Sequence, residues 1–113
     1  MVNFIICAKR KPGMTRVEFS DYWRNQHGPL VTSVPEFMRH VRKYVQYHIV
    51  PGALAFGKDA AYDGVAELWF DSPEEITRAF SEPRYLEIIR PDELKFVDVA
   101  NCISFITEEV PMA

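Results

Sequence analysis

Three histidines and one carboxylate in an apolar run are the residues of this chain best suited to moving protons. His27 stands in the run Trp23-Arg24-Asn25-Gln26-His27-Gly28-Pro29. Gly28 supplies a helix terminator and Pro29 lacks the N–H a continuing helix needs, so the spacing predicts that His27 ends a helix. The carbonyl end of a helix attracts a protonated imidazole, and such a ring can act as general acid or base near neutral pH. The plainer reading of His27 is a cap, with its ring bonded to a terminal carbonyl.

His48, Gln46 and Tyr44 alternate along one segment and so share a strand face. Turned into a cavity, they converge on a phenolic or carboxylate ligand; at a sheet edge they are only solvated polar groups. Glu67 sits in Val65-Ala66-Glu67-Leu68-Trp69-Phe70, where a carboxylate among apolar neighbours either holds its proton or finds a partner. An ion pair with Arg42 on the neighbouring strand, or a role as acceptor for an N–H group, is the structural reading, and catalysis is the other. His27, His48 and Glu67 are therefore the candidate catalytic residues, with Tyr22, Tyr44, Gln46 and Trp69 as candidate substrate contacts. His40, opening a strand, is expected to be exposed.

Metal chemistry has little support, because no two histidines stand at i, i+4 and His40 and His48 are too far apart on one strand to share an ion. Haem asks for only one proximal histidine and stays open as a minor alternative. With no Gly-rich phosphate loop and no nucleophile elbow, no cofactor is expected.

These residues need a scaffold. Val2 to Ala8 is β-prone and runs into a Pro12-Gly13 turn signal. Thr15 with Glu18 forms a capping box, so a helix starts at Arg16 and reaches His27. Pro29 to Met38, broken by Pro35, is an irregular or short helical passage. His40 to Val50 reads as a strand of period two, Pro51 to Asp63 as a loop long enough to be a lid, and Val65 to Phe70 as a third strand. Ser72 with Glu75 gives a second capping box, opening a helix from Pro73 to about Ser81. Pro83 and Pro91 divide the next stretch of chain into two short helical pieces, Arg84 to Arg90 and Asp92 to Val97. Cys102 to Glu109 is the last strand.

The 113 residues suit one domain, 1–113, with 48% hydrophobic and 26% charged residues as in ordinary globular proteins. Thirteen basic against sixteen acidic residues leave a net charge of −3 with no basic stripe, which argues against nucleic acid and anionic membranes. The apolar runs fall far short of the roughly 20 residues of a membrane helix, and the N-terminal run has no basic start, so a cytoplasmic protein is expected. Cys7 and Cys102 are too few for a disulfide scaffold and read as buried thiols in two strands.

The order strand, helix, strand, strand, helix, strand is the α+β, ferredoxin-like βαββαβ pattern, an antiparallel sheet with both helices on one face. The first and third strands carry apolar residues on both sides. An uncovered apolar face calls for a partner, so a homodimer with two sheets enclosing a barrel is expected.

Phe19-Ser-Asp-Tyr-Trp-Arg-Asn-Gln-His-Gly-Pro-Leu-Val, together with Tyr44-Val-Gln-Tyr-His, Asp63-Gly-Val-Ala-Glu-Leu-Trp-Phe and Asp92-Glu, resembles the EthD family of dimeric α/β-barrel proteins. The resemblance covers nearly the whole chain. It implies the same fold and dimer, and relatives that include cofactor-free decarboxylases and dehydratases acting on polyketide-type aromatic acids. The wider superfamily adds cyclases, cofactor-free monooxygenases and haem proteins. Residues and resemblance together suggest a cofactor-independent lyase or isomerase acting on a hydrophobic cyclic or aromatic oxygenated molecule, with His27 as general acid or base. The alternative is a binding or accessory protein for a hydrophobic metabolite in an oxidative pathway.

Overall fold

A computed structural model describes residues 1–113. Thr15 Oγ1 accepts from the Glu18 N–H at 3.1 Å while Glu18 Oε1 accepts from the Thr15 N–H at 2.9 Å. This reciprocal cap starts α1, Arg16–Tyr22. The helix does not stop at Gly28-Pro29, contrary to the sequence expectation. It widens into a π turn, Trp23–His27, and resumes as α2, Gly28–Thr32. Pro29 falls in the first turn of α2, where a missing N–H is tolerated. Gly28 is helical rather than a terminator. Its reason is a close approach, since a Cβ there would lie 2.8 Å from Gln46 Nε2.

After α3, Pro35–Met38, the chain enters the sheet. The strands are β1, Val2–Ala8, β2, Lys43–His48, β3, Gly64–Phe70, and β4, Ile103–Thr107. Their order is β2-β3-β1-β4, every neighbour antiparallel, which makes the fold α+β and ferredoxin-like. The helical layer is completed by α4, Pro73–Phe80, a second π turn, Tyr85–Ile89, and α5, Arg90–Phe96. Ser72 caps α4, but the box is only half formed because the Glu75 carboxylate goes to His40 Nδ1 at 2.6 Å. His40, held also by Glu82 at 3.0 Å, is consequently half-buried rather than exposed. The Pro91 division also fails. Pro91 sits in the first turn of α5, which continues directly from the π turn.

Register assigns the two sheet faces. Phe4, Ile6, Leu68, Phe70 and Tyr44 share the face under the helices, where Phe19, Phe37, Phe70, Phe96 and Ile89 are sealed from water. Each such side chain contributes about 1.5–3 kcal/mol of burial. The opposite face carries Ile5, Cys7, Val45, Val65, Trp69, Ile103 and Phe105 with no layer of this chain over it. Cys7 and Cys102 are both half-buried thiols, and Cys102 lies just ahead of β4.

The segment between β2 and β3 is pinned to the body. Asp63 accepts from the Arg10 N–H at 2.8 Å and from Arg16 Nε at 3.0 Å, and Lys9 Nζ donates to Ala61 O at 2.7 Å. No residue from 50 to 63 lines the cavity beneath the helical layer.

Candidate active site

Between the helical layer and β1, β2 and β3 lies a cavity of about 310 Å³, walled by aromatic and aliphatic side chains. Only His27, Arg90 and Glu93 bring charge or titratable nitrogen and carboxylate groups to its lining. Arg90, Val99, Ile103 and Ser104 are the exposed members of that lining and mark its mouth, between α5 and β4.

His27 closes the first π turn and is buried at 6% exposure. Its Nδ1 lies 2.8 Å from Asp92 Oδ2, and the opposite carboxylate oxygen accepts from the Tyr22 hydroxyl at 2.5 Å. Lys95 Nζ stands 3.6 Å from Asp92 Oδ1. Burial works against the charge on Asp92, yet the Tyr22 and His27 hydrogen bonds outweigh it and hold the carboxyl below its ordinary range. An ionised Asp92 requires the proton of neutral His27 on Nδ1. Nε2 then presents a lone pair, has no protein partner and is not sealed, since no buried side-chain nitrogen or oxygen goes unbonded. That atom can take or return a proton from a molecule in the cavity. Tyr22, burdened by burial and by the neighbouring Asp92, is pushed up to about 12 and stays a donor.

Glu93, one residue along α5, faces the cavity instead. Both of its oxygens lie 2.9 Å from the Tyr85 hydroxyl, and Arg90 reaches Oε1 at 3.2 Å. Burial raises this carboxyl above its ordinary value despite the opposing pull of Tyr85, His27 and Arg90. Adjacent carboxylates on one helix are thereby driven in opposite directions.

The structure places the residues singled out from sequence in three groups. His27 and Tyr44 line the cavity. Gln46 and His48 share the Tyr44 face, but that face lies against α1 rather than in a chamber between two sheets. Gln46 Nε2 donates to Trp23 O at 3.0 Å and to the Tyr44 hydroxyl at 3.1 Å, while its Oε1 accepts from His48 Nε2 at 2.8 Å. His48 Nδ1 meets Ser20 Oγ at 2.5 Å, and burial together with Arg24 lowers its pKa. Both ring nitrogens are thus occupied, Nδ1 in tying β2 to α1 and Nε2 within β2. Tyr22 acts on Asp92 rather than on the cavity.

Glu67 and Trp69 occupy the opposite sheet face, away from His27. Glu67 accepts from Asn3 Nδ2 at 3.0 Å and from the Tyr47 hydroxyl at 2.8 Å. The expected Arg42 partner turns to Asp71 instead, with contacts of 3.0 and 2.7 Å. Lys43 Nζ sits 4.8 Å from the Trp69 ring centre. No three His, Cys, Asp or Glu side chains are arranged as a metal ligand set.

Asp92, Glu93, Tyr85 and Arg90 were not candidates on sequence grounds. A signal for Glu93 exists: Tyr85, Ile89, Glu93 and Phe96 follow the apolar stripe of one helical face, so Glu93 occupies a position where a hydrophobic residue is the rule.

Fold and cavity together define a ferredoxin-like α+β protein with a ligand-sized chamber under its helices and a buried His-Asp pair opening into it. Residues 11–100 match the model of the EthD domain. The chain is 31% identical over 104 residues to the conidial pigment biosynthesis dehydratase EthD of Metarhizium robertsii, spanning 85% of this chain and 73% of that protein. It is 25% identical over 107 residues to the dehydratase aurZ of Gibberella zeae, spanning 87% and 70%. The chain belongs to the EthD family. Among solved structures, an EthD family protein from Bacillus halodurans superposes with a TM-score of 0.70 at 21% identity, covering 97% of this chain and 100% of that one. A dimeric ferredoxin-like protein from Bacteroides fragilis superposes at 0.68 and 14% identity, covering 96% and 95%.

Proposed function

We propose that the protein is a cofactor-independent dehydratase for a hydrophobic cyclic or aromatic molecule bearing a hydroxyl beside a carbonyl-activated carbon. The observation that carries this reading is the buried His27, paired through Nδ1 with Asp92, in the lining of an apolar cavity of about 310 Å³. Eliminating water across two carbons needs a base to take the C–H proton. His27 Nε2 has the lone pair for that step, and Asp92 stabilises the imidazolium formed. The apolar walls exclude solvent and strengthen every charge interaction within. Tyr44 lines the chamber and offers a phenol beside the ligand. The dehydratase names of the two relatives support the same reaction class.

The protein works in this reading as a homodimer joined through the open sheet face, as the dimeric ferredoxin-like neighbour suggests. The test of function is incubation of the purified protein with a panel of hydroxylated polyketide-type aromatic ketones and acids, with loss of water monitored by mass. Turnover that falls sharply in His27→Ala supports the reading. Turnover indifferent to that substitution overturns it.

A further inference from the structure

Elimination of water needs two proton transfers, and His27 supplies only one at a time. Once Nε2 has taken the carbon-bound proton, the departing hydroxyl still needs a proton to leave as water. One other carboxyl group lines the cavity, that of Glu93. It projects from α5 one residue beyond Asp92, so the same helix that orients the base carries a second acid-base group to the same chamber. Both oxygens are within 2.9 Å of the Tyr85 hydroxyl, whose single proton can serve only one of them at a time. Tyr85 and Arg90 hold the carboxyl in place at the cavity wall, Arg90 on Oε1 alone, so Oε2 is the oxygen that can carry a proton to a ligand.

We propose that Glu93 is the acid that protonates the leaving hydroxyl while His27 takes the proton from carbon, an assignment that rests on the dehydratase reading. The C–H bond electrons become the new C=C bond, the C–O bond breaks, and the oxygen departs with the Glu93 proton as water. His27 ends protonated and Glu93 ionised, and the exchange of one proton through solvent at the mouth restores both. Tyr85 and Arg90 are positioning residues here, steadying the carboxylate that the step creates.

The groups facing Glu93 set its protonation. Tyr85 and Arg90 approach from its own helical layer, His27 from the first π turn, Tyr44 from β2 and Cys102 from ahead of β4. Burial in this mostly apolar setting favours the acid form, which is the direction a proton donor needs.

The experiment has two arms. Carboxyl carbon NMR across a pH titration, with Glu93→Gln to identify the resonance, is expected to show Glu93 titrating above an ordinary glutamate; a midpoint at or below the ordinary value overturns the assignment. In turnover assays Glu93→Gln is expected to lower kcat by roughly 10²-fold or more with KM nearly unchanged, and to remove the high-pH decline of the wild-type profile. A wild type that dehydrates while Glu93→Gln keeps its rate and its pH profile overturns this assignment alone. A wild type inert across the panel, with Glu93 titrating high, overturns the dehydratase reading and takes the assignment with it.

Discussion

His27 Nδ1 and Asp92 Oδ2 meet at 2.8 Å between two buried side chains 65 residues apart in the chain. The contact joins the first π turn to α5 and decides which imidazole nitrogen is left for chemistry. π turns recur at functional sites because the extra residue re-aims the side chains around it. Here one brings His27 and Trp23 to the cavity, and the second brings Tyr85 and Ile89.

Replacing Asp92 by Asn tests the pair. Asparagine keeps the size but can present its amide N–H to Nδ1, which places the imidazole proton on Nε2 and abolishes the base. Turnover is expected to fall roughly 10²- to 10⁴-fold in Asp92→Asn. Tyr22→Phe, which leaves Asp92 ionised and the tautomer intact, is expected to cost much less. Steady-state kcat for the two variants, compared side by side, checks the ordering.

The fold was legible because its signals are local: the Thr15 capping box, the period of two through Tyr44, Gln46 and His48, and the β-prone apolar run of β1. The site was half legible. His27 announced itself by type, but the Gly28-Pro29 pair that reads as a helix end follows a π turn and opens α2, with Gln46 close against Gly28, features that depend on what packs across from them. Asp92, quoted only within the family resemblance, drew no role because its partner comes from another element, and surface helices carry many such carboxylates. Glu67 drew attention for a real reason, its apolar setting. Hydrogen bonds from Asn3 and Tyr47 satisfy it on the face away from the cavity.

Gly64 is a second place where absence of a side chain is structural. A Cβ there would overlap the Trp23 indole at Cζ3 and lie 3.0 Å from Cη2 and 3.2 Å from Tyr47 O. Neither the ring, buried at 4% exposure, nor the strand backbone can yield cheaply. Gly64→Ala is expected to destabilise the protein by about 1–3 kcal/mol, read from denaturant unfolding. Trp23 backs both the cavity and His48, so ligand affinity should weaken in the same variant.

Asp92 and Glu93 predict opposite pH dependences of stability. Asp92 titrates lower in the folded protein, so its contribution is present above the ordinary carboxylate value of about 3.9 and is lost as the pH falls through its folded value. Glu93 titrates higher when folded. The folded state then binds its proton more tightly, and stability declines as pH rises from about 4.3 through the folded value. The melting temperature of Glu93→Gln should therefore gain on the wild type as the pH rises from about 4.3 through the folded value of Glu93. Asp92→Asn should fall behind the wild type at neutral pH and close the gap as the pH falls through the folded value of Asp92.

Phe105 tests the open sheet face. It is 48% exposed on β4 and paired with Ile5 across the ladder, near Val45 and Glu67 in the same row of strands. A face holding Ile5, Val45, Trp69, Ile103 and Phe105 around a hydrogen-bonded Glu67 is too apolar to stay in water and polar enough at its centre to demand a set register. Phe105→Asp puts an unpaired carboxylate where a partner sheet would pack, on the side of the sheet opposite His27. In sedimentation experiments the wild type should run as a dimer and Phe105→Asp as a monomer, with the helical signature of the folded chain retained. A wild type that is monomeric at micromolar concentration would mean that this face is tolerated in water, and the proposed dimer would be wrong.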